Sequence, residues 1–226
     1  MELTWFGHSN FKIAFGDHTL VIDPFFDGNP TAPIPATDIG AVDLVLITHD
    51  HGDHVGQAIE ICQRTRASLV GVFDTVNHLI EEGLPDQQGI GMNLGGTIEQ
   101  LGVQIKMVQA MHSTRTGAAT GYIMTFPDGY CLYHAGDTSI FQSMELFKVF
   151  HKIDLALLPV GGWFTMDPRQ AAYACRLLGC KAVVPMHWGT FPILEQNTDT
   201  FRDALKEFAP DVVLKVLTPG TPVQFG

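Results

Sequence analysis

His49, His51, Asp53 and His54 stand within six residues, directly after the apolar run Val42-Asp43-Leu44-Val45-Leu46-Ile47. In an extended segment alternate side chains share a face, so His49 and His51 can converge on one cation. Gly52 permits a tight reversal with positive φ at little cost, which swings Asp53 and His54 toward a second position nearby. Neutral imidazole suits Zn, Fe, Ni or Mn, and a carboxylate adds charge compensation and accepts a harder ion. The spacing therefore points to a metal centre in which one loop serves two ions. The plainer alternative is a solvated turn carrying unrelated histidines.

This run resembles the H-x-H-x-D-H signature of the metallo-β-lactamase superfamily, whose members place three further ligands, in fixed order, on loops after later strands. Here Val103-Gln104-Ile105-Lys106-Met107-Val108 leads to His112, Gly129-Tyr130-Cys131-Leu132-Tyr133 leads to Asp137, and Lys181-Ala182-Val183-Val184-Pro185 leads to His187. The resemblance implies that His49, His51 and His112 hold one metal, that Asp53, His54 and His187 hold the other, and that Asp137 bridges them. It implies two divalent ions, Zn first with Mn, Fe or Ni as alternatives, and a hydroxide between them that attacks the substrate. Asp53 would accept or relay the proton while Asp137 holds the ions together, so these two are the catalytic carboxylates. The implied fold is α/β, a four-layer αββα sandwich.

Other members of the superfamily differ in ways that narrow the resemblance. Fifty positions separate Asp137 from His187, too few for the inserted cap of nuclease members, and thirty-nine residues follow His187, too few for the helical substrate domain of glyoxalase II enzymes. His51 stands where redox di-iron members carry Glu, no flavin domain follows, and the Cys ligand of many true β-lactamases is missing. What remains is similar to the compact lactonases, including the ascorbate-6-phosphate type. The expected activity is hydrolysis of a small ester or lactone, with a small phosphodiester second. A metal-dependent binding or sensing protein, or an iron redox protein without hydrolytic turnover, is the alternative from another class.

Three further polar residues bear on the site. His8, in Gly7-His8-Ser9, resembles an element of a little-characterised metal-dependent hydrolase branch of the superfamily, and either orients a ligand, touches substrate or is structural. Asp23 at a strand end could support a metal ligand, since metal-bound His usually donates its other N–H to an acceptor. His134 is a weaker candidate for the same role. Gly161-Gly162-Trp163-Phe164-Thr165-Met166 forms either a pocket wall or plain core. His18 and His78 read as structural or solvated, as does His151, which follows a predicted helix whose C-terminal end favours positive charge.

Length and composition bound the rest. A chain of 226 residues with 46% hydrophobic content can bury a substantial core, and no linker, repeat or low-complexity tract divides it, so a single domain over 1–226 is expected. The amino terminus lacks a basic region with a long apolar segment, and no run approaches the ~20 apolar residues of a membrane helix, so the default location is cytoplasmic. Cys62, Cys131, Cys175 and Cys180 show no C-x-x-C pairing and read as reduced packing residues. With 24 acidic against 13 basic residues and a formal charge of -11, a nucleic acid is a poor partner and a small-molecule substrate is favoured. A homo-oligomer stays open.

The elements that must position these groups are legible in outline. Strands are expected at Leu3 to Phe6, Phe11 to Phe15 and Thr19 to Ile22, with Gly16-Asp17 as a hairpin turn. A helix should follow His54 with Val55, Ile59 and Cys62 on its apolar face, and another should open at Phe73-Asp74 and end at Gly83. Strands over 97–108, 121–126 and 130–134 precede a helix near Ser139 to Phe150. The last third alternates strand 155–159, helix 168–178, strand 182–185, helix 200–208 and strand 212–216. Asp167 is the expected N-cap of the helix that begins at Pro168, and Gly179 its terminator. Two sheets with helices outside them, and ligands at strand ends, follow from this order.

Overall fold

The first three strands, β1 (Glu2–Trp5), β2 (Phe11–Phe15) and β3 (His18–Ile22), run antiparallel, the second reversal turning on Gly16 at φ 52. The computed structural model describes all residues, 1–226. From β3 onward the strands become parallel: β4 (Leu44–Leu46) is followed by the one-turn helix α1 (Gly52–Val55), then α2 (Ala58–Thr65), β5 (Ser68–Val72), α3 (Phe73–Glu81) and β6 (Gly89–Met92). A C-terminal strand, Val223–Gln224, pairs antiparallel with β1 and completes seven strands.

Parallel strands joined by helical crossovers must be apolar on both faces. Val21, Val45 and Leu69 accordingly pack with Ala58, Ile61 and Cys62 of α2 and with Val76 and Leu79 of α3. On the alternate face Leu20, Ile22, Leu44, Leu46 and Val70 are also buried. This sheet belongs to a compact unit comprising Met1–Leu94, Ser113–Ala119 and Leu217–Gly226.

The second unit comprises Gly95–His112 and Thr120–Val216 and repeats the pattern. β7 (Thr97–Gln100), β8 (Val103–Gln109), β9 (Thr120–Thr125) and β10 (Cys131–His134) are successively antiparallel. After the short helix α4 (Phe147–Phe150), β11 (Leu155–Pro159) joins parallel to β10. Helix α5 (Pro168–Leu178), β12 (Ala182–Met186), α6 (Asp199–Phe208) and β13 (Val213–Leu214) extend the parallel half. Helix α5 begins where its sequence dictates: Asp167 accepts a 2.8 Å hydrogen bond from Gln170 N, Pro168 fills the first turn, and Gly179 ends the helix at φ 61. α6 buries Phe201, Ala204 and Leu205 at i, i+3, i+4 spacing, and Phe201 alone is worth about 1.5–3 kcal/mol on burial.

Several expected boundaries shift for identifiable reasons. The strand expected over 97–108 is a hairpin, because Leu101 (φ 55) and Gly102 (φ 77) form a two-residue turn with both φ positive. The helix expected after His54 breaks at Gly56 (φ 45), where a Cβ would lie 2.3 Å from the Pro24 carbonyl oxygen. The segment near Ser139 to Phe150 is mostly a tight 3-10 turn, Gln142–Leu146, before α4. Asp74 lies inside the first turn of α3 instead of capping it; Val72 holds the cap position and offers no side-chain acceptor. His151 is also held below the ordinary imidazole range, by burial and then by Lys106. All four cysteines are free and buried, as expected, and burial pushes the Cys62 thiol up to about 12.

Candidate metal centre

In the first unit the loop bearing the candidate ligands is fastened at its root by Asp23. This residue leaves β3 in the left-handed conformation (φ 48) and is fully buried. Its Oδ1 accepts from Thr48 N at 2.9 Å, and its Oδ2 accepts from the Thr48 hydroxyl at 2.7 Å and from His54 Nδ1 at 2.7 Å. Because the carboxylate can only accept, the His54 proton sits on Nδ1 and its Nε2 carries the lone pair. The Thr48 hydroxyl, having donated to Asp23, accepts in turn from His49 Nδ1 at 3.1 Å, which leaves His49 Nε2 as an acceptor too. One carboxylate thus sets two tautomers.

His49 Nε2 and His51 Nδ1 lie 3.0 Å apart. That separation is compatible with two nitrogens sharing one cation at the ~2.0–2.1 Å distance usual for Zn–N. Helix α1 carries Asp53 and His54 in its single turn, and His8 Nε2 meets Asp53 Oδ2 at 3.2 Å. Donor atoms of His8, Asp53 and His54 fall within 4.8 Å of one another. His8 itself is fully buried at φ 53, its carbonyl accepting from Trp5 Nε1 at 2.9 Å and its ring edge-on to Phe25. His8 is thus in contact with Asp53, a candidate ligand.

The second unit carries its own set at three strand ends. His112 follows β8, Asp137 follows β10 and His187 follows β12. Asp137 Oδ2 lies 3.0 Å from His187 Nε2 and 3.6 Å from His112 Nε2. Asp137 and His187 are both nearly inaccessible, and a carboxylate is kept there only with partners that favour its charge. His187 is left-handed (φ 57), and its carbonyl oxygen would lie 2.0 Å from a Cβ at position 161, so Gly161 is required for this packing. His134 accepts a 3.1 Å hydrogen bond at Nδ1 from Gly136 N, which shapes the turn into Asp137.

Asp50 was not singled out by the sequence. Its carboxylate accepts from the Thr114 hydroxyl (2.8 Å), Arg115 N (2.9 Å), Thr116 N (2.7 Å) and the Thr116 hydroxyl (2.7 Å). Burial pushes its pKa up, but the Thr116 hydroxyl, the Arg115 amide and the other two donors outweigh burial and hold it at about 2. Asp50 thereby ties the loop between His49 and His51 to the segment that follows His112.

The donor set fits divalent cations. Imidazoles with assigned lone pairs, carboxylates beside them and a buried Asp behind one ring are the chemistry of Zn, Mn, Fe or Ni sites, with outer groups orienting the ligands. Each unit supplies both imidazole and carboxylate.

Comparison with known proteins agrees with this chemistry. Residues 2–187 match the β-lactamase superfamily domain. A UPF0173 metal-dependent hydrolase of Nitratidesulfovibrio vulgaris is 58% identical over 222 residues, covering 97% of this chain and 93% of the relative. Another of that description, from Caldivirga maquilingensis, is 41% identical over 220 residues, covering 96% and 95%. Among solved structures, Igni18, described as a novel metallo hydrolase from Ignicoccus hospitalis, superposes with a TM-score of 0.91 at 37% identity, covering 100% of this chain and 98% of that one.

Proposed function

Because this chain belongs to the metallo-β-lactamase superfamily and is a metal-dependent hydrolase with that α/β fold, we propose that it cleaves a small ester or lactone at a dinuclear centre. In this reading His49, His51 and His112 would hold one divalent ion, Asp53, His54 and His187 the other, and Asp137 would serve both. Zn is the first expectation, and residues 1–226 work as one domain. Divalent ions held there would supply a water activated near neutral pH and polarisation of the bond under attack.

The chain's own residues do the rest. Asp23 and Thr48 keep His54 and His49 in the tautomers that present Nε2. Asp53 takes up the proton released in the attack, and His8 Nε2, 3.2 Å from its carboxylate, holds that carboxylate in place. The observation that carries the reading is the 2.7 Å contact of buried Asp23 with His54 Nδ1, the carboxylate–histidine arrangement that metal ligands use. A substrate panel on protein reconstituted separately with Zn, Mn, Fe and Ni tests it. Turnover of esters or lactones with colourless Zn or Mn protein, abolished by Asp137→Ala, is the expected outcome. Turnover of phosphodiesters alone, or stable iron with visible absorbance and no hydrolysis, would refute it.

A further inference from the structure

The loops of the second unit that carry His112, Asp137 and His187 share a second property: each meets large apolar side chains turned outward. Trp163 is 75% exposed and Phe164 53%, Met111 beside His112 is 50% exposed, and Ile193 in the loop after His187 is 49% exposed. Exposed aromatics in sequence are costly to leave in water and mark a binding surface when they sit beside a site.

These side chains are held on a fixed frame. Gly162 N donates to Met166 O (3.0 Å), Met166 N to Thr138 O (3.0 Å), and Glu195 N to Gly161 O (3.0 Å). Met111 N donates to the Thr138 hydroxyl at 2.9 Å, and Ser139 N to Met111 O at 3.0 Å. The 161–166 loop is therefore bonded to the residue after Asp137 and to the loop after His187, while Gly161 packs on the His187 backbone. Trp163 is kept left-handed (φ 54), a conformation disfavoured for any residue with a Cβ and retained only where the surroundings impose it.

Charge selects the occupant. Residues 110–112, 135–142, 160–167 and 187–197 contain no Lys or Arg, and the one basic residue of the connection after β8, Arg115, belongs to the first unit, so these second-unit segments themselves offer no fixed cation to a phosphate or a second carboxylate. From the apolar rim and that absence of basic side chains we infer that Trp163 and Phe164 bind the apolar acyl or alkyl part of a neutral ester or lactone substrate. The inference rests on the hydrolase reading above and names its substrate class.

A series of p-nitrophenyl esters from acetyl to decanoyl tests it on the metal-loaded protein. The octanoyl ester is favoured over the acetyl ester, and Trp163→Ala with Phe164→Ala lowers that preference about tenfold, chiefly through KM, in keeping with the discrimination a hydrophobic pocket gives. Phe150→Ala, which removes an equally exposed aromatic on α4, leaves the preference intact. A second arm needs no turnover: octanoate, and not acetate, shifts the tryptophan emission, and Trp163→Phe removes the shift. Absence of ester cleavage with the octanoate shift retained would sink the proposed activity and leave the apolar platform standing. Cleavage indifferent to chain length, together with an emission that octanoate does not move, overturns the platform. So does a dimer that Trp163→Ala dissociates without any change in chain-length preference.

Discussion

Asp23 and Asp50 are buried carboxylates that both hold the loop bearing His49 and His51, yet they act differently. Asp23 reaches an imidazole directly, so its loss should be felt by metal: Asp23→Ala is predicted to weaken metal retention by about 10–100-fold, read by chelator competition on folded protein. Unchanged retention would show that His54 keeps its orientation unaided. Asp50 reaches only hydroxyls and amides of 114–116, and Asp50→Ala strands the Arg115 and Thr116 amides, while the Thr114 and Thr116 hydroxyls keep Thr116 O and Thr75 Oγ1 as acceptors. That should destabilise the fold by about 3 kcal/mol and speed amide exchange at Arg115 and Thr116. Exchange unaltered there would contradict the anchoring role. The difference explains what a sequence can disclose at this scale. His49, His51, Asp53 and His54 announce themselves because their spacing is local, and His112, Asp137 and His187 because each follows a β-type run in the order the resemblance implies. Asp50 is silent: its partners lie more than sixty positions away and are of the commonest polar kinds. Trp163 and Phe164 could be noticed as a pair, but not whether they face inward or out.

At the scale of elements, capping chemistry and apolar runs predicted α5 closely, since Asp167, Pro168 and Gly179 each impose a backbone conformation. Where long-range packing decides, local pattern fell short. Gly56 splits the helix after His54 because the Pro24–Phe25 backbone passes against it, which no periodicity encodes. Gly161 is a similar case in a loop, and Gly161→Ala is predicted to displace His187 and lower kcat/KM by at least tenfold, measured on the best ester. Activity within twofold of wild type would mean that the loop yields without moving the ligand. The parallel strands are also joined by Asp154, whose carboxylate accepts from Cys131 N at 2.9 Å and from Lys181 Nζ at 2.6 Å. Burial raises its pKa, but the Lys181 and Cys131 hydrogen bonds hold it below the ordinary value of 3.8. A depressed folded-state pKa gives stability that is present above the unfolded value and lost as pH falls through the folded one. Asp154→Asn should therefore cost about 1 kcal/mol at pH 7 and progressively less below pH ~4, by thermal melts across pH. A deficit that stays constant down to pH ~2 would contradict the assignment.

For the molecule as a whole, the two units share one plan: antiparallel strands first, then parallel strands with helical connections, and candidate ligands where strands end. That plan was legible because turn residues, strand runs and helix caps alternate in order, and the fold class expected from the resemblance agrees with the match to Igni18. Strands β5, β6 and the C-terminal one were not legible, being five, four and two residues long and defined by their neighbours. No helix is long and apolar enough to cross a membrane. The division of donors between units makes the account testable in a single experiment, an anomalous difference map from a crystal of the metal-loaded protein. The account predicts two peaks per chain, one on His49, His51 and His112 and one on Asp53, His54 and His187, with Asp137 in contact with both. Ions bound by one unit's residues alone, or a single peak that Asp137 does not touch, would contradict it.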